Sequence, residues 1–303
     1  MSEKICLVVI FNHQFNRNLP VLRELLGGKF SHVRFLVPFY RGSDPDVIAV
    51  YDSSATFQGY IVQAYPHLSK EGYTHFVFTA DDLLLNPCLD ETNLLSSLTL
   101  GPGDAYIQEL RPITDVTFHW PFLHTVLKAM RFDPFVNAAD QLPDREEALR
   151  RLAVHGVRLT GFGLKTLRFA QGSWWWKIRS LLAKTFFLYG SKEVRRVVYP
   201  LVMSYSDFLV VPAAVMGDFC HFCGVFTAMR IFVECAIPTA LALAAPRIKV
   251  ERDIPMRGKE VFNLDDLAVF EEKYERRLSV LCANFPAATI YAHPVKLSRW
   301  TRD

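Results

Sequence analysis

The chain has 303 residues, half of them apolar, with a formal net charge of +3. That length and composition suit one large domain or a two-lobed one with a sizeable core, and they exclude global disorder. A charge this close to neutral argues against nucleic acid as a partner.

The opening stretch, MSEKICLVVIF, carries Glu3 and Lys4 ahead of seven apolar residues. It reads as a first strand and is too short for a signal peptide. A membrane span needs about eighteen uncharged apolar residues in a row. The longest candidate, Ile231 to Pro246, is interrupted by Glu234 and two prolines. Six cysteines (Cys6, Cys88, Cys220, Cys223, Cys235 and Cys282) lie mostly inside apolar runs. They read as reduced core residues of a cytoplasmic protein.

Ile5 to Phe11 has the continuous apolar character of a strand covered on both faces. It ends in the polar loop Asn12-His13-Gln14-Phe15-Asn16. The spacing over Leu19 to Leu26 predicts a helix, with Pro20 tolerated in its first turn and Gly27-Gly28 as its stop. Val33 to Phe39 and Val47 to Tyr51 are further strands around a Gly-Ser-Asp-Pro turn. Thr56 to Ser69 is helical and Gly72 ends it. His75 to Thr79 is the next strand, and it runs into Asp81 and Asp82. This alternation predicts an α/β fold: a Rossmann-like, mostly parallel sheet flanked by helices.

In such a sheet, ligands bind just outside the carboxyl ends of the strands. Two adjacent carboxylates there suit Mg²⁺ or Mn²⁺ held for a ligand's phosphates. The plainer reading is a solvated turn that caps the next segment. No Gly-x-Gly-x-x-Gly turn follows the first strand and no Walker-type loop occurs. A nucleotide held by a metal and side chains fits better than a nicotinamide or P-loop site.

Residues 101–200 read as a variable, partly helical insertion between an α/β half, 1–100, and a closing half of the same domain, 201–303. His119-Trp120-Pro121-Phe122 is either a pocket wall or simple packing. Gly161-Phe162-Gly163 is too short a glycine pattern for phosphate binding. Trp174 to Phe187 combines three tryptophans with Lys177, Arg179 and Lys184. That suits a helix lying in the inner face of a membrane, or an aromatic face packed on the sheet or on a second subunit.

Tyr205 to Pro212 is strand-like, and Phe219 to Leu243 reads as an apolar helical region broken at Pro238. Cys220-His221-Phe222-Cys223 has zinc-like spacing but lacks a second pair. Glu234 lies within an apolar run, where burial raises a carboxyl pKa unless it is paired. It is either a structural anchor or a general base, and Asp207 is the competing base. Asn263 can cap a charged helix from Leu264 to about Cys282, with Glu271, Glu272, Lys273, Glu275, Arg276 and Arg277 on its solvated face. Ala288 to Ala292 is a last strand leading to His293 and Lys296. A neutral imidazole can ligate Mn²⁺ and a lysine can meet a diphosphate, unless both are simply surface residues.

Together, the first strand with its polar loop, the segment Phe78-Thr79-Ala80-Asp81-Asp82 and the terminal His293 and Lys296 resemble a GT-A type glycosyltransferase. This is the nucleotide-diphospho-sugar transferase superfamily, here of the bacterial surface-polysaccharide or lipopolysaccharide kind. The resemblance implies a nucleotide-sugar donor, a saccharide or lipid-linked acceptor, and Mn²⁺ or Mg²⁺ on the donor diphosphate. It implies Asp82 and His293 as metal ligands. Phe11, Asn12, Asp81 and Lys296 would line the donor, with Glu234 or Asp207 as base. The family's Asp-x-Asp motif departs here, because Ala80 stands two positions before Asp82. Asp82 is therefore the expected direct ligand and Asp81 the partner of a ribose or a metal-bound water. A nucleotidyltransferase is a second reading, weakened by the missing glycine- and Arg/Lys-rich loop. A non-catalytic scaffold in polysaccharide assembly is a third.

Overall fold

The computed structural model describes residues 4–116, 122, 125, 126, 129, 137–159 and 199–303. The expectations for His119-Trp120-Pro121, Gly161-Phe162-Gly163 and Trp174 to Phe187 lie outside them.

The N-terminal part follows the predicted alternation closely. In chain order it holds β1 (Ile5–Ile10), α1 (Leu19–Leu26), β2 (Val33–Pro38), β3 (Val47–Val50), α2 (Gln58–Leu68), β4 (His75–Ala80), β5 (Leu84–Leu85) and α3 (Leu94–Ser97). The middle contributes β6 (Ala105–Tyr106), β7 (Arg111–Pro112), α4 (Arg145–Val154) and β8 (Val202–Met203). The C-terminal part supplies β9 (Phe208–Pro212), α5 (Ala213–Ala228), α6 (Val233–Ala244), β10 (Ile248–Lys249), β11 (Arg257–Glu260), α7 (Leu264–Lys273), α8 (Leu278–Ala283) and β12 (Thr289–His293).

A seven-stranded sheet has the order β10-β6-β9-β4-β1-β2-β3. All its strands run parallel except β9, which is antiparallel to both β4 and β6. β1 and β4 lie side by side at its centre, and every residue of both is buried. Burying each such apolar side chain contributes about 1.5–3 kcal/mol. On one face, Val8, Ile10 and Phe78 pack with residues of α2, α5 and α6. On the other, Leu7, Val9 and Val77 pack with α1 and α3. The helices after β1 and after β3 thus cover opposite faces, and the strand order reverses direction between β1 and β4. That junction is the topological switch point, where an open α/β sheet leaves a crevice at its carboxyl edge.

A separate three-stranded sheet, β11-β12-β5, sits beside that edge and packs against α7 and α8. Its central strand β12 pairs antiparallel with β5, Ala292 opposite Leu84. Continuing that register carries His293 to the level of Leu83, beside Asp82.

Four expectations are corrected. The apolar region Phe219 to Leu243 is two helices, and the break falls at Arg230, which is left-handed at φ 56°, not at Pro238. Pro238 lies inside α6 because the carbonyl it leaves unbonded, that of Glu234, accepts the Ser204 N–H at 3.0 Å. The charged helix from Leu264 also divides in two, at left-handed Glu275 and Arg276. Within it Glu271 is not solvated: it is 4% exposed and accepts from Arg276 Nε at 2.9 Å. Among the cysteines, Cys88 is exposed in the turn after Pro87 and Cys282 is half-buried, whereas the other four are core residues. The Asn263 cap holds as expected, its side chain accepting from Asp265 N–H at 3.0 Å.

Candidate functional site

Three chain segments meet at the carboxyl edge of β4. Asp82 stands two residues past the end of that strand. Asp207 immediately precedes the antiparallel β9, and its carbonyl accepts the Ala80 N–H at 3.0 Å. His293 is the last residue of β12, held by Val295 N–H on the Asp82 carbonyl at 2.6 Å and Val261 N–H on its own carbonyl at 2.8 Å. His293 Nε2 lies 3.2 Å from Asp82 Oδ1 and 3.8 Å from Asp207 Oδ2. The three side chains are 14–22% exposed, so the cluster is accessible without being on open surface.

Glu260 pairs with His293 across β11 and β12. Its carboxylate accepts from Gln108 Nε2 at 2.8 Å and from the Tyr291 hydroxyl. Tyr205 stacks nearly parallel to Tyr291 and tilts against the His293 ring at 5.6 Å. The site is thus an imidazole and two tyrosines among three carboxylates.

The charges act on one another strongly. Burial pushes the His293 pKa down, but the hydrogen bond and charge of Asp82, with the charges of Asp207 and Glu260, outweigh it and leave the pKa raised. Burial raises the Asp207 pKa, as do Asp82 and Glu260, against the pull of His293 and Tyr205. Burial likewise holds the Tyr205 and Tyr291 hydroxyls protonated, reinforced for Tyr205 by Asp207 and for Tyr291 by Glu260.

Asp81 faces the other way. It is 5% exposed, and its two oxygens accept from Asn12 N–H and Asn18 Nδ2, both at 3.4 Å. It ties the loop after β1 to the end of β4, and burial with the neighbouring Asp82 charge pushes its pKa up to about 7. Asn12 is half-buried beside it. Phe11 is fully buried, its ring edge-on to Phe35 at 6.2 Å, so it offers no ring surface to a ligand. Lys296 is exposed on the turn that follows the cis His293–Pro294 bond. Glu234 occupies the first turn of α6, where a helix N-terminus favours a carboxylate. It is joined to the cluster through backbone: Ser204 N–H bonds its carbonyl, and Asp207 follows three residues later.

The structure therefore unites Asp82, Asp207 and His293, and adds Tyr205, Glu260 and Tyr291. Sequence reasoning missed these last three because nothing local marks them; the pairing of β11 with β12 brings Glu260 and Tyr291 there, and the segment leading from β8 into β9 brings Tyr205.

The donor atoms suit a hard cation in part. Two neighbouring ligands on an octahedral ion, each about 2.1 Å from it, are roughly 3 Å apart. The Asp82–His293 separation of 3.2 Å matches that spacing, and Asp207 stands close behind. Among the described residues no group of three His, Cys, Asp or Glu side chains is arranged to hold a metal ion. Farther along the same sheet edge, past β6 and β10, lies a polar cavity of about 660 Å³ lined by Gln108, Glu109, Arg111, His155, Arg158 and Glu251 among others. No helix among the described residues is long and apolar enough to cross a membrane.

Comparison with known proteins finds no matching family model and no matching curated protein.

Proposed function

We propose that the protein is a divalent-cation-dependent glycosyltransferase of GT-A type. It would transfer a sugar from a nucleotide-diphosphate sugar to a saccharide or lipid-linked acceptor. The observation that carries this reading is the meeting of Asp82, Asp207 and His293 at the switch point of a mostly parallel sheet. Asp82 and His293 would hold Mn²⁺ or Mg²⁺, which offsets negative charge on the departing diphosphate. Three carboxylates around one imidazole leave an excess of negative charge that favours such a cation.

The chain's own groups then divide the work. Asn12, fixed through Asp81, lines the donor side of the crevice, and Lys296 at its rim is available to the diphosphate. The acceptor enters from the cavity past β6 and β10, whose mixed carboxylates and arginines suit the hydroxyls of a saccharide. Asp207, beside His293, would take the proton of the acceptor hydroxyl if the reaction inverts configuration. Glu234 is the second candidate for that role.

The test is calorimetric titration with UDP, GDP, CDP and ADP, each with Mn²⁺ and then with EDTA, on the wild type and on Asp82→Ala. Metal-dependent binding of one nucleotide, lost in the variant, supports the reading and identifies the donor class. Binding of none of them refutes it and leaves a non-catalytic scaffold as the better account.

A further inference from the structure

The polar cavity of about 660 Å³ past β6 and β10 separates its charges by depth. The chain leaving β6 contributes Gln108 and Glu109, and the chain leaving β10 contributes Glu251; all three are half-buried. Gln108 Nε2 donates to the Glu260 carboxylate at 2.8 Å, and Glu260 pairs with His293, so this inner end adjoins the Asp82–Asp207–His293 cluster. Burial raises the Glu251 pKa, and the charges of Glu260 and Glu109 add to it, although the Gly258 N–H bonds its carboxylate at 2.5 Å. The inner end is therefore rich in hydrogen-bond acceptors and short of countercharge.

The exposed part of the lining has the opposite character. It carries Arg111, Arg158 and Arg252 against the carboxylate of Asp115. Arg111 is matched by Glu109 at 3.3 Å. Arg252 has its neighbour Asp253 at 3.8 Å, and that carboxylate also accepts the Val250 N–H. Arg158 follows the left-handed Gly156 that ends α4, and it forms no ion pair among the described residues. His155, whose pKa burial lowers, adds no charge near neutral pH. A guanidinium presents paired N–H donors that match a carboxylate or a phosphate, and Arg158 and Arg252 have that fork to spare.

The volume is in the range of small-molecule sites. We infer that the cavity takes a saccharide bearing an anionic group, its hydroxyls donating to Glu109 and Glu251 at the inner end and its carboxylate or phosphate held by Arg158 and Arg252 at the mouth. The inference rests on the reading of this cavity as the acceptor site and adds the charge of the acceptor, an acidic or a phosphorylated sugar in place of a neutral one.

The experiment reads binding by NMR titration in EDTA without nucleotide, so it depends on neither donor nor metal. The probes are glucose, glucuronate and glucose 6-phosphate, the same three forms of galactose, and inorganic phosphate. Each is titrated into the wild type, Arg158→Gln and Arg252→Gln. At least one acidic sugar should bind the wild type about 5- to 10-fold more tightly than its neutral counterpart and than inorganic phosphate. Each substitution should remove most of that preference and leave the weaker binding of the neutral sugar unchanged, and NaCl at about 0.5 M should act likewise. Both arginines are exposed, and an unchanged melting temperature separates their effect on binding from a folding defect. A preference for the uronate identifies an acidic sugar, and a preference for the phosphate ester a phosphorylated one. Neutral and acidic sugars bound alike, binding no tighter than that of inorganic phosphate, a preference that survives both substitutions, or binding of no probe overturns the inference. Failure of the nucleotide titration beside an acid preference here refutes the transferase and leaves the anionic-sugar site, whereas the reverse pair of results leaves a transferase without it.

Discussion

Replacing Asp81 by asparagine should stabilise the metal-free protein, and the gain should depend on pH. The Asp81 carboxyl is 5% exposed, and burial together with the Asp82 charge brings its pKa from 3.8 to about 7. The folded chain therefore holds this proton more tightly than the unfolded chain. Its stability contribution is greatest below about pH 4 and falls as the pH rises to about 7, beyond which the cost of the ionised carboxylate is constant. At 1.36 kcal/mol for each unit of pKa, the cost at about pH 8 is about 4 kcal/mol. Asparagine has the same shape and no charge. Its oxygen can accept from Asn12 N–H, and the Asn18 amide can turn to accept from the new NH₂ group. The assay is urea unfolding of both proteins in EDTA at several values from about pH 4 to about pH 8, reading the difference so that other titrating groups cancel. The difference should start near zero and grow to several kcal/mol in favour of the variant. A difference that does not change with pH, or a variant less stable at about pH 8, would refute the argument from burial.

Other substitutions probe the frame that holds the site. Gly72→Ala should cost about 1 kcal/mol, measured by thermal unfolding: Gly72 is left-handed at φ 66° and an added Cβ meets nothing within 4 Å, so the cost is purely conformational. Alanine is about 3 kcal/mol better than proline in a helix interior, yet Pro238→Ala should gain far less. The Glu234 carbonyl that a new N–H would seek is already taken by Ser204. A gain near the full value in urea unfolding would show that the Ser204 bond is dispensable. Arg276→Ala should cost about 2 kcal/mol by stranding the buried Glu271 carboxylate. Adding Glu271→Gln should recover part of that loss, and a strictly additive double variant would contradict the pairing.

The elements that the sequence revealed best are those fixed by local pattern. β1 and β4 were visible because a strand buried on both faces is apolar throughout, and α1 begins and ends where its periodicity and Gly27 place it. The Asn263 cap was visible because a short polar side chain before an amphipathic run has one common use. The errors have a common origin as well. Pro238 looked like a helix break because its missing hydrogen bond is a local fact, whereas the Ser204 N–H that satisfies Glu234 comes from another segment. Glu271 looked solvated because its neighbours in sequence are charged, but the packing of α7 against α8 and β12 buries it. Arg145–Val154 went unassigned although Asp144 caps it through Glu147 N–H, a signal present in the sequence.

By itself the sequence determined a parallel α/β frame and named the carboxylates at the end of its central strand, because apolar continuity and a strand's end are properties of neighbouring residues. Only the tertiary structure decided which of those groups form a site. Asp82 and His293 are 211 positions apart and meet through the pairing of β12 with β5. Asp207 reaches them because β9 enters the sheet antiparallel, which puts its first residues at the edge where β4 ends. The same geometry turned Asp81 inward and Asp82 outward: successive residues leaving a strand point to opposite sides, and the loop after β1 supplied the donors that hold one of them.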